Sequence, residues 1–284
     1  AGEVAARCAH AFADGAQFVA LSGATEPDHI PGAVAGALGL LLTGSGAGWS
    51  DLAAALRERE QLLVLDNVEQ LLDAAPALAA LLHAAPRLKL LLTSREALGL
   101  PEEWRWAVTG LALPAEDSAA DPERSDAVRL FLARARQRGA AVGRDDLPAV
   151  ARICRLVGGM PLAIELAAAW TAPLSCQEIA EEIAGGLDLL TARHQVVQER
   201  HRSVQAVFDQ TWARLPVPLQ RTLARLSIFP AGCTREAALA VADAPLPLLS
   251  ELVERAILQR SADGRYHMHP LVRQYAAQRL RETP

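Results

Sequence analysis

The sequence predicts an α/β domain built on a parallel sheet, followed by a helical domain and a small domain of helices with a β-hairpin. Two continuous apolar runs, 61–66 and 88–93, flank a helical segment, as parallel strands covered on both faces do. From residue 124 onward, helical periodicity dominates. Near the end, Asp263-Gly264 separates two short strand-like runs, which indicates a hairpin.

Length and composition indicate a globular protein of about two domains. The chain has 284 residues, of which 51% are hydrophobic and 21% charged, and this composition excludes a disordered chain. Its four cysteines lie far apart and form no C-x-x-C motif. We therefore expect no zinc site and a reducing compartment.

Charge patterning bears on membranes and on nucleic acids. Residues 30–50 carry no charge, but they include six glycines and a proline and lack basic flanks, so we expect no membrane span. No signal peptide is recognisable either, and we expect a cytoplasmic protein. From Arg200 onward, twelve arginines face seven acidic residues, a mild excess that permits a nucleic-acid partner without establishing one.

The first domain is expected to begin with a helix and a short strand and to continue with alternating helices and strands. Ser50 is the predicted cap of its third helix. A glycine-rich turn precedes that helix at 44–48. The predicted helices cover 2–13, 32–42, 50–59 and 68–84, and the predicted strands cover 18–21, 61–66, 88–93 and, as a further strand, 105–109.

A Pro/Asp/Ser-rich linker at 114–123 precedes the helical part of the chain. The predicted helices there cover 124–138, 147–156, 161–170, 175–183, 203–215 and 218–226. The last stretch combines two short helices, hairpin strands at 257–260 and 265–268, and a final helix. Helices followed by a small hairpin are typical of a winged-helix domain.

Two strand ends carry residues suited to phosphate chemistry. The run Leu62-Leu-Val-Leu-Asp66 places a carboxylate at the carboxyl edge of the sheet, where phosphate-binding ATPases hold magnesium. The second run ends in Thr93-Ser94-Arg95, and a guanidinium binds phosphate oxygens in a bidentate manner. Each pattern alone also fits an ordinary strand end followed by a solvent-facing loop.

Two later motifs have equally plain alternatives. Gly158-Gly-Met-Pro-Leu162 opens a helix with Pro161 at its first position, which a capping role also explains. Tyr266-His-Met-His-Pro270 closes the hairpin and starts the last helix, where a lone His269 is often structural.

The joint order of the motifs resembles a known family, the bacterial signal-transduction ATPases of the STAND class. These proteins are similar to NB-ARC modules and occur in AfsR/LuxR-type transcriptional regulators. The resemblance covers essentially the whole chain. It rests on five segments in the family's order: LLVLDNVEQLL at 62–72, LLLTSR at 90–95, GGMPL at 158–162, LSIFPAGCT at 226–234 and YHMHPLVRQY at 266–275.

The resemblance implies a switch that closes around ADP and opens with ATP. Its P-loop NTPase-like parallel sheet would occupy residues 1–113, a helical domain 114–200 and a winged-helix domain 201–284. Asp66 resembles the acid that holds Mg²⁺ through water, and Asn67 stands where many relatives have a second acid, so a hydrolytic base there is in doubt. Arg95 resembles the arginine that reads the terminal phosphate.

The two remaining site residues come from the later domains. Pro161 resembles the proline that packs on adenine. His269 resembles the histidine that contacts the ADP phosphate from the winged-helix domain. Pro270 replaces the aspartate that usually follows that histidine, so the family's helix-capping carboxylate is missing.

A phosphate loop of the form G-x-x-x-x-G-K-[ST] is missing from the 284 residues, whose one lysine, Lys89, lies in a predicted strand. In the family this loop would precede the helix at 2–13. We therefore interpret the chain as a fragment whose sheet is incomplete at the N-terminus, leaving an exposed edge. We expect it to bind ATP or ADP weakly, with Mg²⁺ and a weak ATPase activity confined to the intact protein.

The resemblance implies further domains of the same polypeptide as partners, an effector upstream and sensor repeats downstream, with self-association on activation. Two other functions remain open at this point. The chain could be a protein-interaction scaffold that has lost nucleotide binding. The winged helix could also bind DNA directly, although in the family it contacts nucleotide and neighbouring domains, so we expect no DNA contact by this segment.

Overall fold

The computed structural model describes residues 1–21, 23–40, 48–114, 122–187, 190 and 204–282. The chain divides into two compact units, Ala1–Trp106 and Ala107–Pro284. The three predicted domains, 1–113, 114–200 and 201–284, remain a prediction. Most of the glycine-rich turn at 44–48 and of the linker at 114–123 lies outside the described residues.

The first unit contains a parallel sheet of three strands in the order β1-β2-β3. Val64 at the centre of the sheet pairs with Phe18 on one side and Leu91 on the other. The strands are β1 (Ala16–Ala20), β2 (Leu62–Asp66) and β3 (Lys89–Leu92). The helices are α1 (Gly2–Cys8), α2 (His29–Leu38), α3 (Trp49–Leu56) and α4 (Ala75–Ala84).

Strand β2 is buried on both faces, as its continuous apolar sequence predicts. Successive side chains of a strand point to opposite faces. Leu63 and Leu65 accordingly pack in the core formed with α2, α3 and α4, whereas Leu62 and Val64 pack with Ala5 of α1. The buried run ends at Asp66, which is half-buried, so the sheet delivers this carboxylate to its edge.

Three helix predictions in this unit were wrong at their starts. The helix predicted at 32–42 begins earlier, at His29. Ser50 does not cap α3: Gly48 is the N-cap, and Trp49, packed against the core, is already the first helical residue. The helix predicted at 68–84 begins only at Ala75, after two short 3₁₀ turns. Pro76 explains the late start, because proline fits the first turn of a helix but breaks a helix interior.

The further strand predicted at 105–109 is also wrong. None of the described strands pairs with this segment. The side chains of Trp104, Trp106 and Val108 are 98%, 90% and 90% exposed, so their alternating pattern does not bury a face here. Aromatic and β-branched residues favour strands only where a packed surface receives them.

The second unit, where the structure describes it, is helical apart from one hairpin. Strands β4 (Leu258–Arg260) and β5 (Tyr266–Met268) pair antiparallel on either side of Asp263-Gly264, as predicted. The helices are α5 (Asp126–Gln137), α6 (Leu147–Leu156), α7 (Pro161–Ala168), α8 (Cys176–Gly185), α9 (Val204–Arg214), α10 (Val217–Leu226), α11 (Arg235–Ala242), α12 (Leu246–Glu254) and α13 (Pro270–Glu282).

Helix α13 is shared between two cores of the second unit. Leu271 and Tyr275 on one face belong to the core formed by α5 to α8. Ala276, on another face, belongs to the core formed by α10 to α12 and the hairpin. The Tyr275 hydroxyl donates a 2.7 Å hydrogen bond to Asp209 on α9, which ties the middle of α13 in place. Any displacement of α13 would therefore disturb both cores.

The uncharged stretch at 30–50 overlaps two described helices. Helices α2 (His29–Leu38) and α3 (Trp49–Leu56) contain ten and eight residues. A span needs about 20 residues. None of the described helices is both long enough and apolar enough to cross a bilayer.

The start of α8 allows a direct stability test. The Ser175 hydroxyl accepts the backbone N–H of Glu178, and the Glu178 carboxylate accepts the backbone N–H of Ser175, which forms a capping box. We predict that Ser175→Ala lowers the free energy of unfolding of the second unit by about 1 kcal/mol, measured by urea denaturation.

Ser50→Ala is the control, because Ser50 lies inside α3 and is not its N-cap. We expect it to change the free energy of unfolding of the first unit by less than about 0.5 kcal/mol. Equal losses in the two variants would contradict the assignment of the cap.

Candidate functional site

The carboxyl ends of β2 and β3 are joined by the side chain of Thr93. Its hydroxyl donates a 2.6 Å hydrogen bond to Oδ1 of Asp66 and accepts the backbone N–H of Asn67 at 2.9 Å. A hydroxyl has only one hydrogen to donate, so this arrangement commits it to the carboxylate. Thr93 thus orients Asp66 at the edge of the sheet, a role that the sequence analysis did not foresee.

Asn67 has a conformational role. Its φ of 75° and ψ of 48° place it in the left-handed region, which asparagine tolerates better than most residues. The backbone turns sharply there, and the N–H of the next residue, Val68, bonds to the carbonyl oxygen of Thr93 at 3.0 Å. The asparagine at this position therefore has a structural explanation, whatever other role it has.

Arg95 forms an ion pair with Glu69. Its Nε lies 3.4 Å from Oε1 of the glutamate. The Glu69 side chain is only 7% exposed, whereas that of Arg95 is 45% exposed. The first unit therefore places the oriented Asp66 carboxylate at the end of β2 and a half-exposed guanidinium on the loop after the adjacent strand β3. Sequence reasoning missed Glu69, because an acid in a loop carries no signal of its burial.

In the second unit, Pro161 is the first residue of α7, as predicted, and Met160 is its N-cap. Gly158 and Gly159 precede it with φ values of 60° and 69°. The Gly159 carbonyl accepts the N–H of Leu111 at 2.8 Å, and a Cβ on Gly159 would overlap the Leu111 carbonyl. Glycine is therefore required at this position for both conformation and space.

His269 lies directly against Gly158. A Cβ on Gly158 would overlap the imidazole ring, whose Nε2 lies 3.4 Å from the Gly158 carbonyl oxygen. The other ring nitrogen, Nδ1, accepts the backbone N–H of Leu271 at 3.3 Å. An accepting Nδ1 assigns the proton of the neutral ring to Nε2, which then donates to Gly158.

Burial lowers the pKa of His269, and the hydrogen bond to Gly158 opposes that shift without overcoming it. The His269 ring also contacts the start of α13. Leu271 is the second residue of α13, so His269 Nδ1 occupies the place of a helix cap. In this chain the His269 ring therefore supplies a capping interaction at the start of α13.

The five predicted site residues fall in both units. The first unit brings Asp66 and Asn67 together through Thr93, and it places Arg95 on the loop after the neighbouring strand. The second unit brings His269 to the glycine turn that precedes Pro161. Their roles toward a nucleotide remain predictions.

Comparison with known proteins identifies relatives along the whole chain. No protein-family profile matches it. The uncharacterized protein Rv0894 of Mycobacterium tuberculosis is 33% identical over 295 aligned positions, which cover 99% of this chain and 72% of the relative. Its counterpart Mb0918 of Mycobacterium bovis matches equally well.

Two further comparisons concern regulators and fold. The regulatory protein AfsR of Streptomyces coelicolor is 29% identical over 96% of this chain, which spans only 27% of AfsR. The solved structure of the Walker-type ATPase paby2304 of Pyrococcus abyssi matches with a TM-score of 0.54 and 14% identity, over 92% of this chain and 83% of that one. The likeness to the Walker-type ATPase shows a shared fold. The identity to Rv0894 over most of both chains shows that the present chain belongs to the same family as the mycobacterial proteins Rv0894 and Mb0918.

Proposed function

We propose that this chain is a nucleotide-binding regulatory module, the part of a bacterial regulator that responds to ADP and ATP. The observation that carries the proposal is the pair of groups where β2 and β3 end. An oriented carboxylate, Asp66, and a half-exposed guanidinium, Arg95, lie at the carboxyl edge of a parallel sheet. Ligands of such sheets bind at this edge.

The donor set fits a magnesium nucleotide. Mg²⁺ is typically held by one or two protein carboxylates, by water and by substrate phosphates. Asp66 would hold the ion through water, with the Thr93 hydroxyl fixing one of its oxygens. The bound ion would neutralise phosphate charge, and Arg95 would contact the terminal phosphate. Asn67 is a poor general base because its amide does not accept a proton at neutral pH, so we expect slow hydrolysis.

The phosphate loop is the component that the 284 residues do not supply. Strand β3 pairs with β2, and no other described strand covers its second edge. Leu90, Leu91 and Leu92 are only half-buried, whereas the apolar residues of β2 are all buried. These observations support the proposal that a further strand, with its phosphate loop, completes the sheet in the natural polypeptide.

The second unit supplies the proposed switch. Pro161 would pack on the adenine, and His269 would report the diphosphate to α13 through its position at the start of that helix. The packing of α13 in two cores supports this proposal, because a change at His269 would be transmitted to both. We assign residues 201–284 to a winged-helix domain because the helices α10, α11 and α12 are followed by the hairpin, in that order along the chain.

Direct DNA binding by this domain is less well supported. In a winged helix, the helix before the hairpin is the one that enters the major groove. Here that helix is α12, which contains Glu251 and Glu254 and no lysine or arginine. A helix that contacts DNA phosphates and bases needs cationic side chains.

Two relatives whose names describe regulators are much longer than this chain. The chain spans 27% of AfsR and 31% of an M. tuberculosis protein named as a putative HTH-type transcriptional regulator.

Nucleotide binding can be tested by calorimetric titration of Mg-ADP into the natural polypeptide that contains these residues. We predict binding by that protein and a loss of about tenfold in affinity for Asp66→Asn, equivalent to about 1.4 kcal/mol. The control is Asp73→Asn, which changes an exposed acid in the same segment. We expect the 284 residues alone to bind weakly or not at all.

Low-micromolar binding by the 284 residues alone would contradict the proposed need for an external phosphate loop. Absence of binding in the natural polypeptide would instead favour an interaction scaffold that has lost its nucleotide. An equal loss in Asp66→Asn and Asp73→Asn would remove Asp66 from the proposed magnesium site.

The contact of His269 predicts a pH dependence of stability. The pKa of His269 is lowered in the folded chain, so below about pH 6.5 the unfolded chain takes up a proton that the folded chain resists. The free energy of unfolding of the second unit should therefore fall as the pH is lowered from about 7.5 to about 5.5. His269→Gln should make this fall smaller.

The matched control is His267→Gln, which changes a histidine in the adjacent hairpin. Urea denaturation at the two pH values measures the effect. If His269→Gln retains the full pH dependence of the wild type, the buried neutral imidazole is not its source.

A further inference from the structure

Glu69 carries a charge that the proposed nucleotide contacts do not use. Its carboxylate belongs to the short turn after Asn67, and the side chain is 93% shielded from solvent, given its exposure of 7%. A buried carboxylate is costly unless a cation and hydrogen bonds compensate it. Arg95, whose Nε lies 3.4 Å away, is the cation that the geometry provides.

The backbone around the pair is fixed on both sides. The Val68 N–H bonds to the Thr93 carbonyl at 3.0 Å, and the Leu71 N–H bonds to the Val68 carbonyl at 2.8 Å. The first bond ties the turn that carries Glu69 to the end of β3, two residues before Arg95. The carboxylate therefore has a defined position relative to the start of the arginine side chain.

The contact involves Nε, at the neck of the guanidinium, while 45% of the Arg95 side chain stays exposed. A long arginine side chain loses much rotamer freedom when it is placed, and a partner that holds it beforehand reduces that loss on binding. The fork of terminal amino groups is the part of arginine that suits a phosphate.

We propose that Glu69 is a positioning residue that presents Arg95 to the terminal phosphate and so sets the preference for ATP over ADP. This inference rests on the proposed function. It assigns regulation of that site to a residue that does not itself contact the nucleotide. Because burial of an unpaired carboxylate is unfavourable, Glu69 also keeps Arg95 in place while no nucleotide is bound.

The test compares ATP and ADP affinities of the natural polypeptide with Glu69→Ala, Glu69→Gln, Arg95→Ala and the double variant Glu69→Ala/Arg95→Ala. Calorimetric titration with the Mg²⁺ complex of each nucleotide gives the ratio of affinities. We expect Glu69→Ala to weaken ATP binding roughly five- to tenfold and ADP binding less than twofold. Glu69→Gln keeps an acceptor oxygen for Nε. Its loss of ATP affinity should therefore be about half that of Glu69→Ala on a logarithmic scale.

Non-additivity distinguishes positioning from general destabilisation. In the Arg95→Ala background, Glu69→Ala should leave the ATP-to-ADP ratio unchanged, because there is no arginine left to position. Equal losses for both nucleotides, a gain in ATP affinity, or a full additional loss in the double variant would each overturn the proposal. A gain in ATP affinity would mean that Glu69 competes with the phosphate for Arg95.

The same data separate this inference from the proposed function. If the wild-type protein binds neither nucleotide, the proposed function fails and the role of Glu69 fails with it. If it binds both and Glu69→Ala leaves their ratio unchanged, the proposed function stands and only the positioning role is overturned. Thermal unfolding verifies that the variants are folded, and Glu69→Gln alone decides the matter if Glu69→Ala does not fold.

Discussion

The candidate site of the first unit depends on one hydroxyl group. Thr93 donates its only hydrogen to Asp66 and accepts the N–H of Asn67, so a single side chain fixes both the carboxylate and the turn that follows it. The left-handed Asn67 then directs the chain into the turn that carries Glu69. Burial of that carboxylate in turn keeps Arg95 close. The two parallel strands place Thr93 beside Asp66, and the arrangement of the other groups follows from that placement.

In the second unit, one side chain at the glycine turn likewise makes two hydrogen bonds. Gly158 adopts a positive φ and leaves room for the His269 ring, which donates to the Gly158 carbonyl and accepts from the start of α13. One imidazole therefore connects the turn before Pro161 with a helix that is packed in two cores. A neutral ring is needed for this pair of hydrogen bonds, and burial favours that form by lowering the pKa of His269.

Sequence patterns predicted the elements that carry a strong local signal. The strands β2 and β3 were identified as continuous apolar runs, the hairpin by Asp263-Gly264, and helix α6 by its helical periodicity. The segment at 105–109 failed because its alternating apolar residues are exposed, and periodicity does not report exposure. The start of α3 failed because Ser50 and Gly48 are both acceptable caps, and the packing of Trp49 decided between them.

The candidate site could be predicted only in part for the same reason. Asp66 and Arg95 stand at strand ends, and strand ends are visible in the sequence. Thr93 and Glu69 act through partners that are distant in the sequence or buried in the fold, and neither property is local. The capping of α13 by the His269 ring likewise depends on a hydrogen bond that only the folded chain reveals.

Both units carry proposed nucleotide contacts, and backbone protection can be measured in each. Amide hydrogen exchange of the natural polypeptide, followed by mass spectrometry with and without Mg-ADP, identifies the segments that the nucleotide stabilises. We expect slower exchange in the loop after β2 of the first unit and, in the second unit, in the glycine turn before Pro161 and at the start of α13. Unchanged exchange in all three segments would rule out the proposed response to the nucleotide.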